Sequence, residues 1–185
     1  MESGENTYRR FLLGDRSAFD ELVLMYRNGL EVFINSFVHN VYAAEDIAVD
    51  TFVYVLTHKN HYNFSIGIKS YLYMIGRSRA IDYLRREKRY VYSDAEDNIE
   101  PEWAADTETM QDKVIAKERS RIVFDALNDL PDEMRKVIYL LYFEELSYKE
   151  VAKVLKMSTK KVDNLNYRGK AKLRELLKEE VDLLD

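Results

Sequence analysis

Lys160, Lys161, Asn164, Tyr167 and Arg168 are the residues of this sequence best suited to recognition chemistry. Their steps of three and four fall on one side of a helix, away from Val162, Leu165 and Gly169. Lysine and arginine suit phosphates and guanine edges, and asparagine suits an adenine edge. The stretch 156–174 holds seven basic residues against one acid, Asp163. A charge run of this kind is more often a solvated helix face. The segment in front of it raises the other reading. Ser147 and Glu150 spell a capping box before Val151, Val154 and Leu155, so a short helix precedes the basic one across only Lys156, Met157 and Ser158. A short helix, a tight turn and a long basic helix make a helix-turn-helix, whose second helix enters the major groove of DNA.

A second constellation runs from Tyr71 to Arg89, with six basic residues, two acids and interleaved aromatics. Unpaired bases stack on aromatic rings while cations hold the backbone, so this mixture suits single-stranded DNA. Tyr62 and Phe64 lie just upstream in an expected loop and can join the same platform. The plainer reading is that Tyr71, Tyr73 and Tyr83 are packing residues with wet hydroxyls.

The remaining candidates carry less. Glu45 and Asp46 are first-turn acids, which the helix dipole alone explains. A carboxylate metal site at Glu45, Asp46 and Asp50 has no histidine in register, and His39, His58 and His61 have no ligand spacing. No glycine-rich phosphate loop, nucleophile elbow or Cys/His pair occurs in the sequence. Neither catalysis, cofactor nor metal is expected.

The elements that must position these residues read as helices. The chain has 185 residues, 46% of them hydrophobic and 33% charged, but only six glycines and two prolines. So few breakers favour an all-α fold. Phe19, Leu22, Val23, Tyr26, Leu30, Phe33, Ile34 and Phe37 line one face of a long helix that Ser17 can cap. A second helix carries Ala44, Ile47, Ala48, Thr51, Phe52, Val55 and Leu56, and a third runs from Ile68 to about Arg89. Periodicity resumes at Ile115, Ile122, Val123, Ala126, Leu127 and Leu130. Pro131 then opens a helix whose inward face is Met134, Val137, Ile138 and Leu141.

Between the two helical halves the composition changes. Residues 90–112 hold eight acids and no Lys or Arg, whereas 1–89 carry a net +1 and 113–185 a net +2. The overall −5 is therefore one acidic linker between two near-neutral domains, 1–89 and 113–185. With no cysteine, no visible secretory signal and no apolar run near the roughly 20 residues that span a bilayer, a cytoplasmic protein is expected.

Set in order, these parts resemble the extracytoplasmic-function class of bacterial sigma factors, from Phe11 to Leu177. Residues 44–53 look like that family's polymerase-binding helix, residues 70–86 like its promoter-melting helix, and Leu127–Pro131 with Tyr148–Arg174 like its upstream-element reader. The resemblance implies a transcription initiation factor with core RNA polymerase and promoter DNA as partners, possible control by an anti-sigma factor, and no chemistry of its own. It implies that Glu45, Asp46, Asp50 and Phe52 meet the polymerase clamp. Tyr62, Phe64, Tyr71, Arg77, Arg79, Arg85 and Arg86 would lie at the minus-10 element, and Lys160, Lys161, Asn164, Tyr167 and Arg168 at the minus-35 element. In this class the linker is expected to thread towards the RNA exit path. Three departures stand out. Tyr71 replaces the usual Trp, Ser78 replaces the usual Asn, and Asp163 and Leu165 stand where a basic residue is common. Two rivals are a free-standing helix-turn-helix regulator with an N-terminal ligand or dimerisation domain, and a metal-dependent helical hydrolase at Glu45, Asp46 and Asp50. A free-standing regulator has no need of the basic, aromatic-laced helix at 71–89.

Overall fold

The computed structural model describes residues 3–91 and 123–182, which form two compact, wholly helical units. Most of the expected linker at 90–112 lies outside the described residues, as do Ile115 and Ile122.

The first unit has four helices: α1 (Gly4–Leu12), α2 (Ser17–Val38), α3 (Val41–Thr57) and α4 (Ile68–Val91), with a 3-10 turn at Lys59–His61. The long helix α2 is the hub, packed against the other three. Leu22, Leu30, Phe33 and Ile34 of α2 meet Ala44, Ile47, Ala48 and Val55 of α3 and Ile68, Leu72, Tyr73 and Ala80 of α4 in one core. Gly76 sets how closely α2 and α4 approach. A Cβ there would come within 2.9 Å of Leu30 Cδ1 and 3.2 Å of Ile34 Cδ1.

Helix α1 has no counterpart in the periodicity. It is nine residues long and buries only Tyr8 and Phe11 of its larger apolar side chains, too short a stripe to register as a period. Ser3 caps it, accepting from the Asn6 amide at 3.4 Å, and Gly14 takes the corner after it at φ 103°. The expected cap of α2 differs. Ser17 is the first helical residue, and the Asp15 carboxylate accepts from its amide at 3.1 Å and its hydroxyl at 2.7 Å. The bond from the Ser17 hydroxyl, and two from the Arg10 guanidinium, hold the Asp15 carboxyl below its usual range. Asn40 caps α3 by accepting from the Ala43 amide at 3.0 Å, four residues ahead of Ala44, the first position of the apolar stripe.

In the second unit residues 123–128 are helical (α5), followed by α6 (Asp132–Ile138), α7 (Tyr148–Leu155) and α8 (Thr159–Asp182). Ala126, Leu127, Leu130, Met134, Val137, Val151, Val154 and Val162 form its core. One register expectation is corrected. Beyond Ile138 the chain widens into a π turn, Tyr139–Phe143, closed by the Glu144 amide on the Tyr139 carbonyl at 3.1 Å. This breaks the 3.6-residue period, so Leu140 is fully buried and Leu141 only half so.

Candidate nucleic-acid interface

The angle between α7 and α8 is built from local bonds. The capping box forms as spaced, with the Ser147 amide donating to Glu150 Oε2 at 2.9 Å and the Glu150 amide meeting Ser147 Oγ at 3.4 Å. Lys156 then takes a left-handed φ of 54°. The amide of Met157 reaches the carbonyl of Ala152 at 3.0 Å, and that of Lys156 reaches Lys153 at 3.3 Å. This paired closure is a Schellman motif, which stops one helix and turns the chain. Ser158 starts the next helix by accepting from the Lys161 amide at 3.2 Å. Asn166, buried on α8, donates to the hydroxyl of Tyr148 on α7 and ties the two helices together.

The outcome is a helix with two sharply different faces. Val162, Leu165 and Gly169 are buried, and a Cβ on Gly169 would press within 3.1 Å of Ile138. Lys160, Lys161, Asn164, Tyr167 and Arg168 are all exposed, Tyr167 at 75%. Lys160, Lys161, Asn164 and Arg168 share a shallow groove with Ser158, Leu165 and Glu133 of α6. Glu133 is an addition that the sequence did not suggest, and its carboxylate holds the Lys161 ammonium at 2.6 Å.

In the first unit the aromatics converge around the loop between α3 and α4. The Tyr62 ring lies 5.1 Å from Tyr71 and 4.6 Å from Phe64. They do not share one open platform. Tyr71 and Phe64 are half-buried, while Tyr62 is 5% exposed and its hydroxyl donates to the Ile66 carbonyl at 2.6 Å. Tyr73 is fully buried in the core, beside Phe33. Tyr8 and Arg9 of α1 join the cluster, Tyr8 edge-on to Tyr62 at 5.2 Å and Arg9 at 4.3 Å over Phe64. A helix absent from the periodicity offered no signal for either.

Four of the arginines of α4, those at 77, 79, 85 and 86, fall in different surroundings. Arg85 and Arg86 are exposed, Arg85 paired with Asp82 at 3.3 Å. Arg79 lies 3.6 Å from Asp50 of α3 and 5.4 Å over the Tyr54 ring. Arg77 is half-buried, its Nε has no hydrogen-bond partner among the described residues, and burial lowers its pKa. Of these four, Arg85 and Arg86 face water most openly.

On α3, Glu45, Asp46 and Asp50 are exposed beside the apolar Val49 and Val53, 52% and 48% exposed. Phe52 points the other way. It is 5% exposed and stands edge-on to Phe19, so it belongs to the core rather than to that outer face. His58 and His61 do approach one another, 5.0 Å between rings, and both bond to Tyr54. No group of three or more potential metal ligands occurs among the described residues, and no helix among them is long and apolar enough to cross a membrane.

The family model for sigma-70 region 2 matches residues 22–90, and that for sigma-70 region 4 matches residues 120–173. Together they cover two thirds of the chain in the expected order. The chain belongs to the sigma-70 family.

Its curated relatives place this sigma factor in the extracytoplasmic-function class. It is 29% identical to the ECF RNA polymerase sigma factor SigW of Bacillus subtilis, over 90% of this chain and 92% of that one. With SigM of the same organism the identity is 28%, over 85% and 93%. The fold is shared with the sigma factor RpoE of Bartonella quintana, solved in complex with the anti-sigma factor NepR. There the TM-score is 0.69 and the identity 22%, covering 86% of this chain and 96% of that one. The protein is therefore a promoter-specificity factor for transcription initiation, working with core RNA polymerase and promoter DNA. The region 2 match spans α2 to α4, and the region 4 match spans the helix-turn-helix. Helix α1 lies ahead of both.

Proposed function

We propose that α8 reads the minus-35 element through Lys160, Lys161, Asn164, Tyr167 and Arg168. In the first unit, unpaired bases of the minus-10 element are captured around Tyr71 and Phe64, with Arg85 and Arg86 on the backbone. Arg77 and Arg79 support that surface from partly buried positions, and Tyr62 supports it from beneath. The outer face of α3, with Glu45, Asp46 and Asp50, docks on polymerase, and Phe52 braces that face from the core. The factor acts in the cytoplasm by binding alone, and the remaining steps belong to polymerase. An anti-sigma factor is a further proposed partner, as for the Bartonella relative. Residues 1–89 and 113–185 serve as the two functional domains, with 90–112 as their connector.

The observation that supports this reading is the exposed face of α8, where five side chains whose chemistry suits bases and phosphates stand together at the second helix of a helix-turn-helix. Arg168→Ala and Lys161→Ala are each expected to weaken holoenzyme binding to the cognate promoter by roughly 1–3 kcal/mol for a base-edge contact. A phosphate contact would instead weaken all sequences alike and lower the salt slope by about one. Binding unchanged in both variants would remove α8 from the minus-35 element.

A further inference from the structure

Helix α1 reaches both sides of the loop between α3 and α4. Gly67 precedes α4 and offers no side chain to cap it, so the Ile68 amide donates instead to Oε1 of Glu5, 3.0 Å away and 63 residues earlier. A carboxylate there also meets the positive end of a 24-residue helix. One turn further along α1, the Tyr8 hydroxyl donates to the carbonyl of Lys59, at the other side of the loop, at 3.2 Å. The Tyr8 ring is fully buried and lies 5.2 Å from Tyr62 and 6.2 Å from Phe64. Phe64 takes a left-handed φ of 60°, a conformation that a bulky residue keeps only where its surroundings impose it. Arg9, 4.3 Å above its ring, is part of those surroundings. Gly4 lets the start of α1 sit this close, because a Cβ would fall 1.9 Å from the Tyr26 hydroxyl and 2.9 Å from Ile68 Cγ2.

We infer that Glu5 and Tyr8 are positioning residues for base capture: by fixing the loop 58–67 at both sides, they orient Phe64 and Tyr71 towards the minus-10 bases without touching DNA themselves. This rests on the proposed role of Tyr71 and Phe64. The bland alternative is that α1 only adds buried surface to the first unit.

The test uses the full chain with core polymerase and three readouts. These are affinity for core, binding of a minus-35 duplex, and capture of a single-stranded minus-10 oligonucleotide. Glu5→Ala and Tyr8→Phe should each weaken oligonucleotide capture about fivefold, in line with a lost cap or buried hydrogen bond, while the other two readouts hold. Glu5→Gln, which still presents an acceptor to Ile68, should restore most of the capture. Tyr8→Phe removes a single oxygen and keeps the test informative where Glu5→Ala fails to fold. Unchanged capture by well-assembled Glu5→Ala and Tyr8→Phe holoenzymes would overturn the inference, as would a parallel fall in all three readouts. Tyr71→Ala separates the two levels. If it loses capture while the α1 variants keep it, only the positioning role fails. If it too keeps full capture, the base-capture reading itself has failed.

Discussion

Lys161 and Glu133 meet at 2.6 Å with both side chains about half exposed to water, 48% and 58%. A pair so wet is worth at most about 1 kcal/mol, so DNA can take the lysine from its partner at small cost. On the proposed minus-35 contact the carboxylate, still in the groove, would repel phosphate and favour the amino group of cytosine. Glu133→Gln should therefore raise holoenzyme affinity for non-cognate duplex by about threefold and steepen its salt slope by about one, as the lysine becomes a full phosphate contact. Salt titrations of binding check this, and weaker non-cognate binding would count against it. On the other unit, Asp46 is exposed, as is the nearby Val49. Asp46→Arg should reduce association with core polymerase at least severalfold by charge reversal at the contact while leaving the melting temperature of the free protein unchanged. Pull-down with the polymerase clamp decides between that and a surface acid of no consequence.

The loop braced by α1 also has an alkaline signature. Burial, with smaller contributions from neighbouring Tyr71 and Glu5 respectively, pushes Tyr8 and Tyr62 from an ordinary 10.0 up to about 12. Below pH 10 both states hold these protons and the stabilisation is complete. Between about 10 and 12 the unfolded chain releases them first, so stability falls as pH rises through that window. Alkaline unfolding of the first unit should be shifted upwards in the double variant Tyr8→Phe and Tyr62→Phe, followed by helical circular dichroism against pH, whereas an unmoved midpoint would remove these hydroxyls from the balance. The same elements show what was legible beforehand. The long helix α2, the first turns of α4 and the basic face of the helix-turn-helix could be read from spacing that repeats, and the Ser147–Glu150 capping box from its fixed three-residue step. Helix α1 could not, since Tyr8 and Phe11 are a single step of three and Glu5 acts on a residue far along the chain. Phe52 and Tyr62 show a different limit. The apolar stripe already set Phe52 inward, and only the family resemblance put it at the polymerase. Tyr62, in a polar loop, looks like a contact residue until packing shows that its ring is buried.

At the level of the whole molecule, charge is unevenly spread. The eight acids of 90–112 adjoin the basic end of α4, with Arg85, Arg86, Lys88 and Arg89. At physiological salt the screening length is about 8 Å, short enough for neighbouring acids to occupy those cations and too short for distant ones to matter. With a net charge of −5 the free protein has little surplus for counterion release. It should bind promoter duplex poorly alone and well with core polymerase. Replacing the acids of 90–112 with Asn and Gln should raise the free protein's affinity, measured by gel shift on one promoter. Tight binding by the unmodified protein alone, or no gain from the neutral variant, would show that the acids are only a solvated spacer. The division into two units, each with its own core, also orders events during synthesis. Helical units with local contacts fold in microseconds to milliseconds, whereas a ribosome adds about 5–20 residues each second. Several seconds therefore separate the emergence of Val91 from that of the recognition helix at Thr159. On the proposed roles, a nascent chain would display the α3 face well before α8 could read an upstream element, and docking on polymerase could begin while the second unit is still being made.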